Sequence, residues 1–214
     1  MTELKKTFTR YLNKCPVIAI LRGITPEEIL PVGRALMECG INIIEIPLNS
    51  PEPLESIRRL STDANGRAII GAGTVLNVAD VEAVKASGGQ LIVSPNTNTA
   101  VIAATVAAEM ISVPGYFTPT EAFAAIQAGA HAIKLFPAEA ASPSILKAQR
   151  AVLPADFPIF IVGGVHADDV VKWLSAGASG FGLGGALYRP GQSAVDVHRA
   201  AMQFMSALPG QNRA

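Results

Sequence analysis

A lysine stands in the middle of an apolar stretch at Ala132-Ile133-Lys134-Leu135-Phe136. Lysine is almost never fully buried without a chemical reason, because taking an ammonium out of water is costly. Desolvation lowers its pKa and yields the neutral amine, the form that attacks a carbonyl carbon to make a Schiff base. The alternatives are a lysine snorkelling at a strand end or one paired with a buried carboxylate. Glu45, inside Ile43-Ile44-Glu45-Ile46-Pro47, is the matching oddity. It lies five residues after Gly40, and Lys134 lies five after Gly129. If those glycines mark equivalent points, the two side chains share a register on strands 2 and 6. In a barrel, strands of the same parity fill the same interior layer, so both groups point inward from opposite walls. An amine and a carboxylate facing one cavity can act as nucleophile and proton shuttle. The competing reading is a structural ion pair, which perturbs both groups too.

Two glycine pairs, in Val162-Gly163-Gly164-Val165 and Leu183-Gly184-Gly185-Ala186, fall at the last two apolar runs. Loops after strands 7 and 8 of a barrel hold phosphate through free backbone N–H groups, although glycine also serves simply to make tight turns. Arg22, in Leu21-Arg22-Gly23, can clamp a carboxylate or phosphate with two parallel hydrogen bonds, or stand as a surface arginine. Thr74, in Gly71-Ala-Gly-Thr74-Val, offers a hydroxyl at the end of strand 3. Gly180-Phe-Gly-Leu-Gly-Gly185 has the spacing of a dinucleotide fingerprint, but too little chain follows it for the rest of a βαβ unit. His131, His166 and His198 are scattered, and Cys15 and Cys39 do not join them, so no metal site is expected.

The elements that must position these groups alternate along the whole chain. Strands are expected at 17–21, 43–47, 68–71, 91–94, 110–113, 132–136, 159–162 and 180–183. Helices are expected to begin near Pro26, Glu52, Val78, Thr99, Pro119, Ser142, Ala167 and Ser193. Thr25 reads as a cap for the first of these, with Pro26 and Glu28 completing a capped start, and Thr118 precedes Pro119 in the same way. Continuous apolar strands alternating with helices predict a parallel sheet buried on both faces. Helix-ending glycines at Gly40, Gly88, Gly129 and Gly177 lie 48, 41 and 48 residues apart, two strand–helix units to each interval. Eight such units nearly fill the chain and favour a (β/α)₈ barrel over a doubly wound sheet. Residues 1–214 are read as one such domain, with an extra N-terminal helix within 1–15 and a frayed tail at 209–214.

Composition narrows the function class. Of 214 residues half are hydrophobic and 16% are charged, with 17 basic against 17 acidic. That excludes disorder as the main state and gives no support to nucleic-acid or anionic-membrane partners. No apolar run approaches a membrane span, and the N-terminus lacks the apolar core of a secretory signal. Two cysteines make no disulfide framework. The expectation is a cytoplasmic protein with reduced thiols.

Several motifs in order carry a family resemblance from about Pro16 to Gln203: Glu45-Ile-Pro-Leu-Asn-Ser50, Gly71-Ala-Gly-Thr-Val75, Ser94-Pro-Asn96, Pro114-Gly115, Ile133-Lys-Leu-Phe-Pro137, Val162-Gly-Gly164 and Gly182-Leu-Gly-Gly-Ala-Leu-Tyr188. The chain resembles the class I 2-keto-3-deoxy-6-phosphogluconate and -galactonate aldolases. The resemblance implies a barrel, commonly a homotrimer, that cleaves a phosphorylated keto-deoxy sugar acid to pyruvate and glyceraldehyde 3-phosphate without a metal or other cofactor. By position, Lys134 looks like the Schiff-base lysine and Glu45 like the general acid/base. Arg22, Thr74, Asn49, Pro95 and Phe136 look like substrate contacts, and Gly163, Gly164, Gly184 and Gly185 like the phosphate cradle. Leu21-Arg22-Gly23 and Pro47-Leu48-Asn49-Ser50 are similar to the galactonate branch; the gluconate branch tends to carry arginine in place of Asn49. Gly185 stands where the family usually has a serine. The gluconate epimer, or both epimers, is the nearest alternative substrate. A phosphosugar isomerase or epimerase with Glu45 as base, or a non-catalytic sugar-phosphate-binding barrel, is the alternative outside the aldolases.

Overall fold

The computed structural model describes residues 2–209, so residues 210–214 of the expected tail lie outside the described residues, while Pro209 sits in a turn. An N-terminal helix α1 (Glu3–Lys14) is followed by alternating strands and helices: β1 (Val17–Ile20), α2 (Ile29–Glu38), β2 (Ile43–Pro47), α3 (Pro53–Ala64), β3 (Ile69–Gly73), α4 (Val78–Ala86), β4 (Leu91–Val93) and α5 (Thr99–Ala107). Then come β5 (Ile111–Val113), β6 (Gly115–Tyr116), α6 (Pro119–Gln127), β7 (Ile133–Leu135), α7 (Pro143–Arg150), β8 (Ile159–Val162), α8 (Val170–Ser175), β9 (Gly180–Leu183) and α9 (Ala194–Ser206).

The strands form one parallel sheet in the order β5-β4-β3-β2-β1-β9-β8-β7-β6. Its two ends, β5 and β6, are consecutive in the chain and separated by Pro114 alone. The sheet therefore closes as the expected barrel, with the fifth strand cut in two. Proline has no N–H to give to a ladder, which breaks the strand there. Its carbonyl still accepts the Lys134 N–H at 2.9 Å, so β5 pairs with β4 and β6 with β7.

Helix boundaries follow the local chemistry. Gly40, Gly88, Gly129 and Gly177 have φ of 84°, 83°, 94° and 102°, the left-handed turn that ends a helix and that glycine adopts without strain. Thr118 and Glu121 form a reciprocal capping box at the start of α6. The start expected at Pro26 needs correcting. Residues 25–28 form a turn, with the Glu28 carboxylate accepting the Thr25 N–H at 3.0 Å, and α2 begins at Ile29. The eighth helix likewise starts as a 3-10 turn over Ala167–Asp169 before α8.

Side-chain alternation sorts the strands into two cores. On β2, Ile44 and Ile46 face the helices, whereas Ile43 faces the barrel interior; on and beside β7, Ile133 and Leu135 face out and Ala132 faces in. Glu45 and Lys134 share the inward parity. The far end of the interior is closed by α1, whose Phe8 is 2% exposed and packs with Ile43, Ile69 and Phe160. Tyr11 ties the same helix down by donating its hydroxyl to the Gly66 carbonyl at 3.0 Å. Both cysteines are free thiols. Among the described residues no helix is long and apolar enough to cross a membrane. Phe8→Ala is expected to cost about 3 kcal/mol of stability, read as a lower denaturant midpoint. The rate of chemistry at Lys134, at the opposite end of the barrel, should be unchanged once the variant is folded.

Candidate active site

The strands open at their C-terminal ends into a cavity of about 630 Å³. Ten of the eleven expected site residues line it: Lys134 and Glu45; Arg22, Thr74, Pro95 and Phe136; and Gly163, Gly164, Gly184 and Gly185. Asn49 does not. It stands behind Arg22, whose Nη1 donates to its Oδ1 at 2.6 Å.

Lys134 and Glu45 are 6% and 2% exposed. No hydrogen bond or ion pair joins them, and Glu45 Oε2 has no hydrogen-bond partner among the described residues. The structural ion pair is therefore not what these two groups form, although each feels the other's charge. Burial pushes the Glu45 carboxyl above the ordinary carboxylate range, opposed by the positive charges of Lys134 and Arg22. Burial holds the Lys134 amine below the ordinary lysine range, helped by Arg22 and opposed by Glu45. The outcome is a lysine with access to its neutral form and a carboxyl able to carry a proton. The Phe136 ring lies beneath the amine, its centroid 4.8 Å from Nζ.

Arg22 is held from the loop that follows β2. The Leu21 N–H donates to the Glu45 carbonyl at 3.0 Å, which locks the end of β1 to the strand carrying the carboxylate. Ser50 Oγ accepts the Gly23 N–H at 2.9 Å and closes the turn just past Arg22. Thr74 is a β-branched residue with φ of 57°, a strained conformation of the kind found at binding sites. Its neighbours hold it there: the Val75 N–H donates to the Val93 carbonyl at 3.3 Å, and Ser94 Oγ donates to the Val75 carbonyl at 2.7 Å. The Thr74 hydroxyl accepts from Arg22 Nη2 at 3.5 Å.

At the other end of the cavity Gly163 and Gly164 have φ of 102° and 60°, two successive left-handed residues that turn the backbone toward the opening. A side chain at Gly185 would face open space. Three further polar residues line this end: Glu139, His166 and Arg189. Their signals along the chain are weak. Glu139 follows the lysine strand by a short turn, His166 comes just after the Gly163-Gly164 pair, and Arg189 is the residue after the Gly182–Tyr188 motif. Glu139 sits in a short 3-10 turn and the other two in loops, with no periodic pattern to single them out. Among the described residues no group of three or more His, Cys, Asp or Glu is placed to hold a metal ion.

The site can thus supply a nucleophilic amine, a proton carrier across from it, a guanidinium–hydroxyl pair for an anionic group, and a glycine-lined end. Comparison with known proteins agrees with this chemistry. The family described as KDPG and KHG aldolase matches residues 8–201. The chain is 46% identical to the 2-dehydro-3-deoxy-6-phosphogalactonate aldolase of Escherichia coli (strain K12), covering 92% of this chain and 97% of that protein. It is 49% identical to a probable 2-dehydro-3-deoxy-6-phosphogalactonate aldolase of Rhizobium meliloti (strain 1021), over 90% and 91% of the two chains. A solved structure described as native KDPGal superposes with a TM-score of 0.89 at 46% identity, covering 91% of this chain and 94% of that one. With its motifs, its barrel and its buried lysine all in agreement, the chain belongs to the KDPG and KHG aldolase family.

Proposed function

We propose that this chain is a class I aldolase that cleaves 2-dehydro-3-deoxy-6-phosphogalactonate reversibly to pyruvate and D-glyceraldehyde 3-phosphate. The observation that carries the proposal is Lys134: an amine on a barrel strand, 6% exposed, with its ammonium form disfavoured and no carboxylate in contact. An isomerase or a binding barrel gives no reason for holding a lysine in that state.

In the proposed cycle the neutral Lys134 amine adds to the C2 ketone to give a carbinolamine. Protonated Glu45 donates to the carbinolamine hydroxyl, water leaves, and the nitrogen lone pair forms the iminium. The Glu45 carboxylate, directly or through water, then takes the proton of the C4 hydroxyl. The C3–C4 bond breaks, its electrons move into the iminium to form an enamine, and the aldehyde phosphate departs. Protonation at C3 and addition of water release pyruvate and restore the amine. The iminium does the work a Lewis acid does in metal-dependent aldolases, so no cofactor is invoked.

The rest of the cavity supports this assignment. Arg22 and Thr74 are arranged to take the substrate carboxylate, and Pro95 and Phe136 flank the reacting carbons. Backbone N–H groups of Gly163, Gly164, Gly184 and Gly185 are proposed for the phosphate. Gly185 supplies no hydroxyl there, and Arg189 and His166 on the same rim add donors the glycines lack. Asn49, standing where the gluconate branch tends to carry arginine, supports the galactonate over the gluconate epimer. One catalytic domain and a homotrimeric assembly are proposed with it, on the family's precedent.

Borohydride added with pyruvate should leave a covalent adduct on Lys134; an adduct on another lysine, or loss of activity to EDTA, overturns the mechanism. In an assay coupled to pyruvate, kcat/KM should favour the galactonate substrate over its C4 epimer by about tenfold or more. Equal values would mean that both are substrates. The Arg22 charge repels the Lys134 ammonium and stabilises the Glu45 carboxylate, so it holds both groups down. Arg22→Met should therefore move both limbs of the kcat/KM profile to higher pH while raising KM. Unmoved limbs would show that Arg22 acts by contact alone.

A further inference from the structure

Across the β2–β3 ladder, Glu45 lies opposite Gly71 and Pro47 opposite Gly73. By alternation the inward positions of β3 are Ile69, Gly71 and Gly73, so two of the three carry no side chain. The two glycines have different reasons. A Cβ at Gly71 would run into the Leu91 carbonyl, which is backbone and cannot yield. A Cβ at Gly73 would run into the Glu45 carboxylate, with Oε2, Cδ and Oε1 as its three nearest atoms, all closer than the 3.0 Å below which real Cβ contacts do not occur. The carboxylate occupies the volume that a side chain at 73 would fill.

Polar contacts do not explain that placement. Glu45 Oε2 has no hydrogen-bond partner among the described residues, and no ion pair fixes the group. The backbone beneath it is fixed. The Gly73 carbonyl accepts the Leu48 N–H at 2.9 Å, and Thr74 next to it is held in its left-handed conformation. The carboxylate is located by available space, and the space is the gap on β3.

We propose that Gly73 is a positioning residue: the gap it leaves sets where the Glu45 carboxylate lies across the barrel from Lys134, and hence whether it reaches the carbinolamine hydroxyl. The inference rests on the Schiff-base reading. The step it governs is transfer of the Glu45 proton to that hydroxyl as the C–O bond breaks, with the nitrogen lone pair forming the iminium, water leaving, and Glu45 remaining as carboxylate.

Gly73→Ala tests it. The clash is with the free end of a side chain, so the circular dichroism and melting temperature should stay near wild type. The value of kcat should fall about 10- to 100-fold with KM changed less than threefold, because displacing a catalytic group by about 1 Å costs that much. The limb of the pH profile belonging to Glu45 should move, and pyruvate should still be trapped on Lys134, more slowly. In the Glu45→Asp background the shorter side chain withdraws from the gap, and adding Gly73→Ala should cost less than threefold more. Activity within twofold of wild type, or an equal loss in both backgrounds, overturns the proposal. If Gly73→Ala alone fails to fold, the double variant decides: folding there upholds the steric link, and failure shows that Gly73 serves the backbone. Failure of wild-type trapping would instead sink the Schiff-base reading.

Discussion

An amine and a carboxylate must both be taken out of water here, near enough to sense each other's charge and too far apart to pair. In contact they would form a buried ion pair, with each charge fixed by the other and the nucleophile lost. Fully solvated they would keep ordinary pKa values, leaving an ammonium facing the ketone. Strands on opposite walls of a closed barrel meet both conditions. The closed wall supplies the desolvation, and the width of the interior supplies the separation. Arg22 adds a third charge at the rim, pushing the lysine and the glutamate in the directions the chemistry uses.

The two ends of the barrel divide the labour accordingly. At the N-terminal end, α1 and Phe8 close the interior with apolar side chains. At the C-terminal end the loops are polar and stiffly tied. Ser50 holds the turn after Arg22, Ser94 holds the turn after Thr74, and neither hydroxyl needs to touch a substrate. Ser94-Pro95 thus does two jobs, Pro95 at the cavity wall and Ser94 behind it, whereas Asn49 and Ser50 both work from behind Arg22.

Much of this was legible because charge is scarce in the chain. A lysine and a glutamate inside apolar strands stood out against a background of 16% charged residues, and the helix-ending glycines fixed their common register. The barrel followed from counting the same glycines. What stayed hidden depended on paths through space. Asn49 belongs to a substrate-like motif, yet its carboxamide faces the guanidinium of Arg22. Glu139, His166 and Arg189 converge from three separate connections between elements, and no spacing in the chain encodes that meeting. The pattern at Thr25-Pro26 matched a helix cap, and the Glu28 carboxylate does take the Thr25 N–H, but residues 26–28 form a turn that runs into the helix only at Ile29. Propensity named the right residues there and a start three residues early.

The break at Pro114 has a consequence beyond its effect on strand count. A sheet of nine strands ordinarily presents two free edges, each a row of unpaired donors and acceptors on which a strand of another molecule can add. Here the two edges are halves of one strand, joined covalently through a single residue, and cannot be drawn apart to receive a visitor. The closed wall thereby offers neither edge to the next barrel. Pro114 costs that wall one donor, beside the strand that carries Lys134.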